Sequence, residues 1–253
     1  WKNIFTAILK LLDNKAFWQK GSEVSDKKFT EGFTWCLSSV AELLQEGCKT
    51  DDWAFNEAFH EEAEEIIEKI IINFNDPQPI AEKDQLAHAL NSTLGKTTTA
   101  LIYLGLREAR LSDKRKEGKE SKWSDKLKKN FDYVLNKDIP DAYALLGEYL
   151  ANLYYVDKKW TIEQIKKSEL IKENGLFASF LEGYLHIEKV YDHLYKLMIP
   201  SYIRGLDTAF ISFDEGVLKE RLVQHIAIGY LRGFENLDKG LLQRKYIFNN
   251  PHR

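Results

Sequence analysis

Apolar residues recur at three- and four-residue intervals along most of the chain, the period of a helix with one buried face. Ile4, Ile8, Leu11 and Leu12 form a first stripe. Phe29, Phe33, Cys36, Leu37, Val40, Leu43 and Leu44 form a second. A third runs through Phe55, Phe59, Ala63, Ile66, Ile67, Ile70 and Ile71, with Asp51 and Asp52 at its start, where negative charge favours a helix. Asn75-Asp76-Pro77-Gln78-Pro79 ends it, because Pro77 lacks a donor and biases Asp76 away from helix. The fourth is capped by Asn91 or Ser92 and continues through Leu94, Leu101, Ile102, Leu104 and Leu106 to about Leu111. A polar, charged stretch over residues 112–124 then reads as a flexible linker, with Trp123 its one apolar residue.

Beyond it, Ser124-Asp125 caps a helix through Leu127, Phe131, Val134 and Leu135. Pro140-Asp141 opens another through Ala144, Leu145, Tyr149 and Leu153, and Thr161 with Glu163 starts a short one. Helices around 174–188, 190–206 and 214–236 complete the chain. No period-two run with hairpin signals occurs, so the expected fold is all-α, with about ten helices. Gly147, Gly183 and Gly229 each stand inside a helical pattern beside Tyr and Leu. Glycine there costs about 0.5–1 kcal/mol relative to alanine, and close helix approach is the natural offset. The Gly183-to-Gly229 spacing falls within the range of helix-pair repeats, whereas the Gly147-to-Gly183 spacing is shorter. An irregular, α-solenoid-like helical-repeat array is therefore favoured over a compact bundle. Residues 1–253 read as one all-α region, divisible into N-terminal helices (1–80) and a helical-repeat part (84–253).

Composition is that of an ordinary globular domain, 44% hydrophobic and 30% charged, with a net charge of −3 that gives no global pull toward nucleic acid or anionic lipid. The charge is uneven. Residues 42–84 carry 13 acids against 3 lysines, and residues 113–129 carry 8 Lys/Arg against 4 acids. Either is a solvated face or a docking surface. Cys36 and Cys48 form neither a disulfide framework nor a zinc motif, and scarce cysteine fits a cytoplasmic location. No run is long and apolar enough to span a membrane. The chain starts at Trp1 inside an amphipathic pattern and its only methionine is Met198, so it reads as a piece of a longer polypeptide.

The motifs that carry chemistry are incomplete. Gly95-Lys96-Thr97 supplies the second half of a phosphate-binding loop, but Leu90 stands where the first glycine belongs and no feeding strand precedes it. Glu57-x-x-His60 is half of a di-iron signature without its second pair. His186-x-Glu188 lacks the Pro-Cys-x-x-Cys of a deaminase, and neither Gly-x-Ser-x-Gly nor Gly-x-Gly-x-x-Gly occurs. Cys36 sits on an apolar stripe and reads as a structural thiol. No catalytic, cofactor-binding or metal-ligating residue is therefore assigned, and no cofactor is expected. Among the aromatics, 13% of the chain, most should fill spaces between helices; Trp123 alone has little apolar company. Trp123, Lys119, Lys122, Lys126, Lys158 and Lys159 are the expected partner contacts.

The run Leu90-Asn91-Ser92-x-x-Gly95-Lys96, followed by Ala100-Leu101-Ile102 and Leu106-Arg107-x-Ala109-Arg110, resembles the long C-terminal helical regions of bacterial antiphage proteins, the STAND-type NTPases and SIR2-associated relatives. Leu150-x-x-Leu153-Tyr154-Tyr155-x-Asp157-x-x-Trp160 and Phe180-Leu181-Glu182-Gly183-Tyr184-Leu185 are similar to later parts of the same regions. The resemblance covers about residues 86–234. It implies a tetratricopeptide- or HEAT-like sensor that binds a phage protein and releases an effector elsewhere in the chain, with homo-oligomerisation through the full-length protein. It carries no catalytic residue onto this sequence. Three rivals stand beside it. A nucleic-acid-binding repeat would gather the linker lysines with Lys158, Lys159, Lys166 and Lys167 on one face, against the overall acidity. An enzyme would converge His186, His193 and Glu182 on a pocket. A scaffold would self-associate.

Overall fold

The structure, a computed structural model, describes residues 1–22, 27–74, 84–187, 189–206, 217–235 and 240. Among them there are only helices and connections: α1 (Lys2–Leu12), α2 (Lys15–Ser22), α3 (Lys27–Lys49), a 3-10 turn (Glu57–Phe59), α4 (His60–Asn73), α5 (Gln85–Asn91), α6 (Thr93–Lys114), α7 (Asp125–Asn136), α8 (Pro140–Glu148), α9 (Leu150–Val156), α10 (Lys158–Glu169), α11 (Asn174–His186), α12 (Asp192–Leu197), α13 (Ile199–Leu206) and α14 (Val217–Leu231). The fold is all-α. The expected count of about ten is too low: two stripes hide breaks, Pro140–Val156 dividing at Tyr149 and the 190–206 segment at Met198, and the short helices α2 and α5 were not read from the sequence. The Asn75–Pro79 stop, residue 188 and the start of the last predicted helix lie outside the described residues.

Short polar side chains set most of the boundaries. Ser92 accepts from the Gly95 amide at 2.9 Å and opens α6, which decides between the two predicted caps. Ser124 accepts from Leu127 and opens α7. Asp157 accepts from the Trp160 amide at 2.9 Å, so α10 begins at Lys158 rather than at Thr161. Asp84 and Glu173 cap α5 and α11 in the same way.

One continuous core runs through the molecule. The main contacts pass stepwise along the chain: α1 and α3 onto α4 and α6, α5 and α6 onto α8, α8 onto α11, and α11 onto α14. The helical glycines explain the tightest step. A Cβ on Gly147 would overlap the backbone at Phe180 and Tyr184, and one on Gly183 would overlap the Ala144 carbonyl. Gly147 and Gly183 are thus two sides of one α8–α11 contact, not successive copies of a repeat. Gly229 lies against the Tyr195 ring. An alanine at Gly147 or Gly183 would force two backbones apart.

Candidate interaction surface

The acidic 42–84 and basic 113–129 stretches, remote in sequence, face each other. Asp51 accepts from Arg110 Nε at 3.1 Å and from Lys114 Nζ at 2.6 Å. Glu57 pairs with Arg115, and Glu68 with Lys126 at 2.8 Å. Glu42 pairs with Lys96 at 2.7 Å. Hydrogen bonding from Lys114 holds the Asp51 carboxyl below its ordinary range. Deeper in, Ser124 donates from its hydroxyl to Glu64 and from its amide to Glu108 at 2.6 Å. Burial pushes the Glu64 carboxyl up, and the neighbouring Glu108 adds to the rise. Three acids of the first run meet three cations of the second along a seam that is buried only at its inner end, and the rest of the acidic run keeps its net negative charge.

The expected linker is not free. Residues 112–114 belong to the end of α6. After a turn in which Gly118 takes a left-handed backbone, Ser121 bridges to Asp157 and the Lys122 amide donates to the Val156 carbonyl at 2.9 Å. A cavity of about 330 Å³ lies under this strap, lined by His60, Glu108, Arg115, Lys119, Lys122 and Trp123 among others. Its cations are already answered: Arg115 by Glu57, Lys119 by Glu117 at 2.7 Å, Lys122 by Asp113 at 3.0 Å.

These placements revise the predicted contacts. Trp123 is only 7% exposed. Its indole stands edge-on to Trp160 at 4.9 Å, lies over Gly105 and donates to Asp157 at 3.3 Å. The polar neighbours in sequence are the strap, and the apolar company comes from α6, α7 and α10. Trp123 is a core residue and not a docking anchor. Lys119 and Lys126 are paired in or beside the seam. Lys122 is also paired, and it covers the Tyr155 ring at 4.1 Å. The strap joins the end of α9 through its backbone, and the Lys122 side chain turns to Asp113 and Tyr155. Lys158 lies over Tyr154 at 5.6 Å, and Lys159 is exposed and forms no ion pair among the described residues.

The remaining outward-facing residues of α10 were the less visible part of this surface. Trp160, Thr161, Gln164, Ile165 and Ser168 are buried, which turns Lys159, Glu163, Lys166 and Lys167 to the outside. Leu170, just past the helix, is 79% exposed. The period of the buried set was the available signal. On α3, Trp35 lies opposite the Phe33–Leu37–Val40–Leu44 stripe and is 74% exposed; Trp53, after the helix, is 83% exposed. Among the described residues these two indoles are the most exposed.

Polar constellations elsewhere have structural partners. Fully buried Asp141 accepts from Gln85 at 2.7 Å, from His88 Nδ1 at 2.9 Å and from Ser92 at 2.5 Å, tying α8 to the α5–α6 corner. The Ser92 hydroxyl is directed at the carboxylate rather than at the imidazole, so the trio lacks the order of a nucleophile and its base. Gly95 packs on the Ala89 carbonyl, and a phosphate-binding loop has no room there. Glu182 accepts from the Gln85 and Leu86 amides, His186 meets Glu148 at 3.0 Å, and His193 stacks on Tyr154. Those three residues go to three different elements. Cys48 is buried and its thiol is pushed up to about 12 by that burial. Among the described residues, no group of three potential ligands could hold a metal ion, and no helix is long and apolar enough to cross a membrane. No protein-family profile, curated protein or solved structure matches the chain.

Proposed function

We propose that this chain is a protein-interaction domain, the sensor portion of a cytoplasmic bacterial antiphage protein, whose trigger is a phage protein and whose effector lies elsewhere in the polypeptide. The observation that carries the interaction reading is the outer face of α10, where Lys159, Glu163, Lys166 and Lys167 are exposed and, among the described residues, form no ion pair with another helix, whereas the basic 113–129 run is largely answered by carboxylates. The antiphage assignment rests on the resemblance of residues 86–234. Binding on such a face acts by favouring one arrangement of this domain relative to its neighbours, and it shifts that equilibrium only by its differential affinity. Capture with the tagged chain from phage-infected and uninfected bacterial lysates tests this. One phage protein recovered only after infection, and retained through nuclease and moderate salt, is the expected result. No partner from either lysate would sink the reading.

A second reading has its own observation. Trp35, within α3, and Trp53, in the connection that follows it, are both largely exposed, and indoles are enriched among the anchors of protein interfaces. A scaffold that self-associates through α3 would run as a dimer in light scattering and as a monomer in the W35A/W53A variant. A monomeric wild type at high concentration removes it.

A further inference from the structure

On α10, Lys159, Glu163, Lys166 and Leu170 fall at i, i+4, i+7 and i+11, a single stripe about 16 Å long. Lys158, Lys167 and the half-buried Glu169 flank it, Glu169 lying in the field of Lys166. The four stripe residues, Lys158 and Lys167 are all exposed. The stripe therefore reads positive, negative, positive, apolar, and with its flanking residues the six charges sum to a net +2. The two lysine pairs, 158/159 and 166/167, lie about two turns apart, the distance after which one face of a partner helix repeats.

Each class of occupant meets this order differently. A continuous polyanion, whether nucleic acid or an anionic membrane, meets Glu163 at the centre and is repelled there. Nucleic acid also finds no stacking platform: Lys122 covers Tyr155, Lys137 covers Tyr133, and Lys158 and His193 cover Tyr154. The stripe contains no arginine to read a guanine edge. A membrane would be offered one exposed leucine at one end. A second copy of α10 would bring two faces of net positive charge together. A helix with carboxylates opposite the two lysine pairs, a cation opposite Glu163 and an apolar side chain beside Leu170 satisfies every position.

Resting on the interaction reading above, we infer that the outer face of α10 docks an acidic amphipathic helix of a partner protein, with Glu163 setting its register. The probe is a helix-stabilised peptide of about eighteen residues with paired glutamates at i, i+1 and i+7, i+8, lysine at i+4 and leucine at i+11. It is titrated against the full chain by fluorescence anisotropy, beside an oligothymidylate of similar length and vesicles of phosphatidylcholine with one-third phosphatidylserine. The peptide should bind with clear salt dependence. K159E/K166E should weaken it about tenfold or more and E163K by several-fold, with unchanged circular dichroism.

E163K separates the classes by sign, since it weakens a complementary helix and strengthens any polyanion. Oligothymidylate or vesicles binding as tightly as the peptide and gaining from E163K would overturn the inference, as would peptide binding indifferent to K159E/K166E. The two proposals fail separately. A phage protein captured equally by wild type and K159E/K166E removes this docking face and leaves the sensor reading. Peptide binding that depends on the stripe, without any partner from infected cells, does the reverse.

Discussion

The seam between α4 and the α6–α7 connection, and the outer face of α10, are both dense in charge, and the fold treats them oppositely. In the seam, carboxylates from residues 42–68 meet Lys96, Arg110, Lys114, Arg115 and Lys126, and Ser124 closes the inner end on Glu64 and Glu108. On α10, among the described residues, the lysines form no ion pair with a carboxylate of another element. Local charge density therefore does not identify a docking surface. What identifies it is whether another element brings the opposite sign. The seam spends its charge holding helices together, and α10 leaves its charge for something outside.

The largest expected effect breaks the seam at its buried end. Arg107 is almost fully buried, donates to the Phe55 and Gly47 carbonyls and lies over the Phe55 ring at 4.5 Å. Arg107→Ala removes packing and takes the guanidinium from the buried Phe55 carbonyl, a combination that should cost about 3 kcal/mol in denaturant unfolding. A loss below about 1 kcal/mol would mean that the seam does not fasten the end of α3 to α6.

The next effect is a pH signature. Burial holds the Glu64 carboxyl above its ordinary value of 4.5, so its contribution favours the folded state at low pH and is lost as pH rises through the folded value. Asp51 works the other way: held below 3.8 chiefly by Lys114, it contributes above that value and loses its contribution as pH falls. Glu64→Gln should therefore gain on the wild type as pH climbs from about 4 toward neutrality, whereas Asp51→Asn should lose ground as pH climbs from below 3.8 to about 5 and keep a constant deficit above that. Thermal melts in a buffer series read both slopes. Parallel curves for the two variants would contradict the assignment of a buried acid and an exposed, paired one to the same seam.

This contrast also marks what was legible in the sequence. Local chemistry was: Ser92 and Ser124 as caps, Pro140 at the head of α8, the all-α class, and glycines at close helix contacts all follow from neighbours within one turn or from a steric need. Pairings across long separations were not. Asp51 meets Lys114 and Glu57 meets Arg115 from about sixty residues away, so the basic run that reads as a patch is largely answered from within the fold. Trp123 misled for the same reason, because its apolar surroundings come from Gly105, Phe131 and Trp160 rather than from the strap. The α10 stripe was half visible: Lys158 and Lys159 drew notice as charges, while Glu163 and Leu170 acquire meaning only once Trp160 and Ile165 fix which side faces inward.

The smallest effect on stability is the sharpest test of the contrast. Replacing Lys159, Lys166 and Lys167 together by alanine removes three charges that form no ion pair with another helix among the described residues, so stability should stay within about 0.5 kcal/mol. Repulsion between neighbouring lysines and the helix propensity of alanine favour the variant, whereas the position of Lys166 and Lys167 in the last turn and the field of Lys166 on Glu169 favour the wild type, and the terms offset one another. Arg115→Ala and Lys126→Ala remove paired charges from the seam and should each cost up to about 1 kcal/mol, a cost that shrinks as salt rises. An α10 triple variant that loses more than either seam variant, with a loss that fades with salt, would reveal ion pairs on that face, and its lysines would then serve the fold as those of the seam do.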